Sequence, residues 1–113
     1  MPFIEVKASC PIPAPQRETI KAALGKALSI LGKGESYLMV GFADPIELYF
    51  AGEKQELAAF VAIALLGRPA DEACSRMTGE VCRILKETLG IPGDRVYVTY
   101  RFVEQWGWNG SNF

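Results

Sequence analysis

The stretch that decides the fold is Leu89-Gly90-Ile91-Pro92-Gly93-Asp94-Arg95-Val96-Tyr97-Val98. It reads as the end of a helix, a turn and the start of a strand. Gly90 closes the helix, Pro92 prevents its resumption, and Val96, Tyr97 and Val98 favour a pleated chain. The same phrase stands earlier as Leu31-Gly32-Lys33-Gly34-Glu35-Ser36-Tyr37-Leu38-Met39-Val40, with Gly32 in the place of Gly90. Nearly the same shift lays Phe3-Ile4 and Val6 over Phe60-Val61 and Ile63. Each half therefore reads strand, helix, strand. A crossover of this kind is right-handed and makes its two strands parallel. The expected fold is α/β: two β-α-β repeats forming a four-stranded mixed sheet with two helices on one face, plus short edge strands. One domain over residues 1–113 accounts for the whole chain.

Outward from the repeat, Phe3 to Ala8 alternates apolar and polar residues and reads as the first strand. Cys10-Pro11-Ile12-Pro13-Ala14-Pro15 is a rigid connector, and Pro15 fits the first turn of a helix. Ile20, Leu24, Ala27, Leu28 and Leu31 then recur at helical spacing up to Gly32. Tyr37 to Phe42 is read as the second strand, Glu47 to Phe50 as a short third one, and 51–54 as a turn. Ala58 to Leu65 is apolar at every position, as in a strand covered on both faces. Ala70 to Leu89 is the second helix, with Ala73, Met77, Val81, Ile84 and Leu85 as its apolar stripe. Arg95 to Phe102 is the last strand. Two helices cover one face of such a sheet, and identical subunits are the simplest cover for the other.

Composition removes several classes of function. The formal net charge is −1 and no run of Lys or Arg exists, so neither a nucleic-acid face nor a polybasic membrane anchor is visible. The opening Met1 to Lys7 reaches charge at once and has no apolar core of a signal peptide. The longest apolar run, Leu57 to Leu66, is too short to span a bilayer as a helix. The cytoplasm is the expected compartment, with export independent of a signal peptide as the alternative. The chain has no histidine, which excludes a His-based triad or a His-ligated metal. Its three cysteines, Cys10, Cys74 and Cys82, have no CxxC spacing and read as small buried or half-buried hydrophobes. No cofactor is expected.

The chemistry-bearing candidates are few. Pro2 follows the initial Met, and a small second residue permits Met removal. The chain would then begin with a secondary amine, whose reference pKa is about 7.7–8.0. Burial and a nearby cation both disfavour the charged form and would leave a base that works near neutrality. Lys33 stands in the loop after the helix-ending Gly32. Tyr97 and Thr99 share one face of the last strand. Trp106, Trp108 and Phe113 form an aromatic cluster that could wall a pocket. Taken alone, each has an ordinary structural reading: a common N-terminal dipeptide, a surface lysine, a strand face, packing aromatics.

Together these residues resemble the macrophage migration inhibitory factor family of the tautomerase superfamily. The resemblance rests on Met1-Pro2-Phe3-Ile4, on Leu31-Gly32-Lys33 with Tyr37, and on Phe50 with Gly52. It rests most on Asp94-Arg95-Val96-Tyr97-Val98 and the ending Trp106-Gly107-Trp108-Asn109-Gly110-Ser111-Asn112-Phe113. It implies a homotrimer whose edge strands pair between subunits and whose sites lie between two of them. It implies keto–enol tautomerisation of phenylpyruvate-like aromatic 2-oxo acids, with Pro2 as general base. Lys33 would hold the substrate carboxylate and help depress the proline pKa, and the Leu66 backbone N–H would add a hydrogen bond. Tyr97, with Thr99 beside it, would come from the adjacent subunit, while Phe3, Trp106, Trp108 and Phe113 would wall the ring. The resemblance also carries the alternative of a cytokine-like protein whose partner is a protein receptor, and a further one of different small-molecule chemistry in the same pocket.

The sequence departs from the family pattern at several points. Leu65-Leu66 replaces a common Ser-Ile before Gly67, and Thr99 stands where Asn is common. Glu53-Lys54-Gln55-Glu56-Leu57 is one residue longer than usual and lacks a proline. Leu57-Ala58-Ala59-Phe60 fills the place of a CxxC found in some members. Asn109-Gly110-Ser111 fits a glycosylation sequon but reads as a turn.

Overall fold

Alternation decides which way each strand faces. In the computed structural model, which describes all residues from Met1 to Phe113, β1 spans Pro2–Ala8, and its even-numbered residues are buried while the odd ones are half-buried. Helix α1 spans Ala14–Ala27, with Pro in its first turn, and tightens into a 3-10 turn over Leu28–Leu31. Strand β2 is Met39–Ala43, β3 Tyr49–Phe50, β4 Glu53–Lys54 and β5 Ala59–Leu66. Helix α2 is Asp71–Leu89, followed by β6 (Val96–Val103), β7 (Gly107–Trp108) and β8 (Ser111–Asn112).

The main sheet has the order β2-β1-β5-β6. β1 runs parallel to β2 and β5 parallel to β6, while β1 and β5 are antiparallel. The parallel pair within each half is the one the internal repeat implies, and the two β-α-β halves meet at the antiparallel β1–β5 pair. One face buries Ile4, Val6, Val61, Ile63 and Leu65 against Ile20, Leu24 and Leu28 of the first half and Met77, Val81 and Leu85 of the second. Each such side chain contributes about 1.5–3 kcal/mol by leaving water. The opposite face carries Phe3, Glu5 and Lys7 on β1 and Phe60, Ala62 and Ala64 on β5, all only half-buried.

Four expectations need correction. Tyr37 does not begin a strand: the Leu38 N–H donates to the Glu35 carbonyl at 3.0 Å, so the chain is still turning there and β2 starts at Met39. The third strand is shorter than Glu47–Phe50. Its Tyr49 and Phe50 pair with Lys54 and Glu53 across a tight turn at Ala51 and Gly52, whose φ values are 52° and 82°. The short strands are also not edges of the main sheet: β3–β4 and β7–β8 form two separate ribbons. Finally, β5 is apolar throughout but covered on one face only, with Ala59, Val61, Ile63 and Leu65 buried.

Candidate active site

The N-terminus lies at the end of the central strand pair. Pro2 is buried and pairs with Leu65, which in turn pairs with Phe102. The chain turns sharply after Leu66: Gly67 has a φ of +83°, a conformation that disfavours any Cβ, and its N–H donates to the Val103 carbonyl at 3.1 Å. That turn leaves the Leu66 N–H pointing back at the N-terminus, where it donates to the Met1 carbonyl oxygen at 3.4 Å.

Lys33 reaches the same region from the loop between the first helix and β2. Gly32 caps the 3-10 turn with a φ of 72°, and the Lys33 N–H closes the cap on the Leu28 carbonyl at 3.1 Å. The side chain is half-buried and has no carboxylate within ion-pair distance. Burial and, after it, the charge of Lys33 hold the terminal amine on Met1 below its ordinary value of 8.0. A free cation and an amine of reduced basicity therefore stand beside one amide donor. That combination can hold an anion, donate to an oxygen and accept a proton from carbon.

A cavity of about 340 Å³ opens at this point, lined among others by Pro2, Phe3, Tyr37, Met39, Trp106 and Trp108. Next to it Tyr37 meets Trp108 edge-on, with ring centroids 5.2 Å apart, and meets Phe113 at 5.5 Å. Trp108 and Phe113 stack at 5.8 Å. The β7–β8 ribbon holds these rings in place: Asn109 and Gly110 take positive φ at its tip, and the Phe113 N–H donates to the Trp106 carbonyl at 3.0 Å. The sequon at Asn109 is thus a turn, as read. A larger groove of about 700 Å³ lies between the helices; its Arg83 is tied to Glu80 and Glu87, and Lys26 is its other cation. Pro2, the candidate base, lines the smaller cavity.

Pro2, Phe3, Lys33, Leu66, Trp106, Trp108 and Phe113 therefore gather at one end of the sheet. Tyr97 and Thr99 do not join them within the chain. Phe102 is the β6 residue level with Pro2, and Tyr97 precedes it by five positions, about 16 Å at the usual rise per residue. Tyr97 is 61% exposed and faces away from the helices. Tyr37 and Met39 were missed as site residues. Tyr37 follows Lys33 in the same loop, which was a usable signal, but the strand reading of residues 37–42 absorbed it.

Known proteins share the family and the fold of this chain. The profile of the family described as Macrophage migration inhibitory factor (MIF) matches residues 1–113. Among relatives, the chain is 28% identical to macrophage migration inhibitory factor of Xenopus laevis over 99 residues, 85% of each chain. It is 27% identical to a macrophage migration inhibitory factor homolog of Trichuris trichiura over the full length of both. Among solved structures, Leishmania major MIF2 superimposes with a TM-score of 0.92 at 32% identity, covering 100% of this chain and 97% of that one.

Proposed function

The chain belongs to the macrophage migration inhibitory factor family, and we propose that, with Met1 removed, it is a tautomerase of phenylpyruvate-like aromatic 2-oxo acids. One observation carries the reading: the Leu66 N–H already holds a carbonyl oxygen, that of Met1, against the Pro2 nitrogen beside the free Lys33 ammonium. Loss of Met1 turns that nitrogen from an amide into a secondary amine and vacates the amide donor in one event.

In the proposed reaction the neutral Pro2 nitrogen takes a proton from the carbon next to the keto group. The electron pair moves onto the carbonyl oxygen, which Leu66 N–H steadies as charge develops. The protonated proline then returns the proton to that oxygen, giving the enol, and the reverse sequence regenerates the ketone. Lys33 holds the carboxylate. Phe3, Trp106, Trp108 and Phe113 pack the substrate ring and exclude water.

Tyr97 and Thr99 enter this reading from a neighbouring copy. The main sheet leaves two edges, β2 and β6, and its open face is half-buried at best. A closed homotrimer pairs such edges and covers such a face. The test is to follow keto–enol conversion of an aromatic 2-oxo acid by processed protein, by a Pro2→Gly variant and by protein retaining Met1. Activity of the processed protein about a hundredfold or more above the other two is expected for a positioned general base. Equal activity in all three contradicts the reading.

A further inference from the structure

Tyr97 is exposed, and no hydrogen bond of its hydroxyl is present in the chain. A ring in that state would cost binding energy to order whenever a substrate called on it. Its surroundings remove that freedom. The Tyr97 ring lies 5.8 Å from the Phe50 ring, tilted by 44°. The Arg95 guanidinium sits 4.5 Å over the Phe50 centroid.

Arg95 is itself pinned. Its Nε–H donates to Gln55 Oε1 at 3.1 Å, and its Nη1 donates to the Asp94 carbonyl at 3.1 Å. Gln55 is pinned in turn: its backbone N–H donates to the Leu48 carbonyl at 3.0 Å and its Nε2 to the Glu53 carbonyl at 3.1 Å. The β3–β4 ribbon thus holds Gln55, Gln55 holds Arg95, Arg95 holds Phe50, and Phe50 flanks Tyr97. Gln55 also lies in the segment that is one residue longer than the family pattern.

We propose that Gln55 and Arg95 are positioning residues that brace Phe50 and Tyr97 at the far end of the sheet, so that Tyr97 enters a neighbouring copy's site already ordered. The brace rests on the reading above that Tyr97 serves a second chain. It cannot act on its own chain's Pro2, which lies at the other end of β5 and β6. Arginine is specific to the role, because a lysine has neither the planar face that lies on Phe50 nor the Nε donor that meets Gln55.

The test uses the processed full chain labelled with 3-fluorotyrosine, with the Tyr97 resonance identified by its loss in Tyr97→Phe. In Gln55→Leu and in Arg95→Lys the resonance should move toward that of the free amino acid. KM for an aromatic 2-oxo acid should rise about three- to tenfold, the scale of ordering one side chain on binding, with kcat changed far less. Gln55→Glu keeps the acceptor and should retain the parent's resonance and KM. An unchanged resonance in both Gln55→Leu and Arg95→Lys overturns the brace. A moved resonance with unchanged KM, or a KM rise matched by loss of subunit association in sedimentation, overturns its role in positioning. If the parent protein shows no tautomerase activity, the functional reading falls, and the fluorine comparison still decides whether the brace exists.

Discussion

The backbone N–H of Leu66 donates to the carbonyl oxygen of Met1 at 3.4 Å. The amide that would steady a substrate oxygen is therefore taken by the residue whose removal creates the base. Protein retaining Met1 should have lost both functions. Its Leu66 amide should exchange with solvent slowly, and exchange should quicken when Met1 is removed. It should slow again when a 2-oxo acid is added. Hydrogen exchange of the two forms, with masses confirming the N-terminus, checks this.

Lys33 acts on charge in two ways. After burial, its ammonium holds the Met1 amine below the ordinary value, and the same cation should depress the Pro2 amine once Met1 is removed. Replacing it by alanine should raise the amine pKa and move the rising limb of the pH–rate profile to higher pH, because only the neutral amine accepts a proton. It should also raise KM about tenfold or more, the scale of one charge-assisted hydrogen bond. The same shift has a stability consequence. The folded state disfavours the protonated amine, so the stability linked to it is present above pH 8 and is lost as pH falls through the depressed value. Activity and melting profiles of Lys33→Ala against the parent test both signs.

Tyr97 is too far along β6 to serve the Pro2 of its own chain. Pro2→Gly and Tyr97→Ala should therefore each be impaired alone. Unfolded and refolded together, they should regain part of the parent activity, since some interfaces then unite an intact Pro2 with an intact Tyr97. A mixture no more active than its components would place both residues on one chain's site.

Asp44 supports the connector that leads from β1 into α1. Its carboxylate is 3% exposed, accepts the Ile12 N–H at 2.6 Å and pairs with Arg17 at 2.8 Å. Arg17 also donates from Nε to the Ile12 carbonyl at 2.9 Å. Asp44→Ala leaves the buried Ile12 N–H without its acceptor, while Arg17 turns to solvent, and should destabilise the chain by about 1–3 kcal/mol. At roughly 4–8 °C per kcal/mol for a domain near this size, thermal melting resolves the change easily.

The repeat Leu31–Val40 over Leu89–Val98 was enough to read the parallel pair within each half, because each crossover has one hand; the β1–β5 pair that joins the halves was not read. Burial by alternation was legible in β1, where apolar and polar residues take turns, but not in β5, whose residues are apolar on both faces although only one is covered. The Tyr37 turn was not legible either, since turn and strand share its residue types and only the Glu35–Leu38 hydrogen bond separates them. The grouping of Pro2, Lys33 and Trp108 could be read only through a resemblance, as these residues lie on three separate elements with no shared period. The contact among Gln55, Arg95 and Phe50 gave no signal, because it depends on how a tight turn at Ala51-Gly52 folds the β3–β4 ribbon back over the end of β6.

The claim beneath all of this is that the Pro2 nitrogen is a free, neutral base near pH 7. The direct measurement is a pH titration of the Pro2 nitrogen by NMR on protein labelled with 15N-proline and shown by mass to lack Met1. A single titration with a midpoint clearly below the usual terminal-amine value of about 8, shifted upward in Lys33→Ala, is the expected result. A midpoint at or above that value in the processed protein, with no response to loss of Lys33, would contradict it.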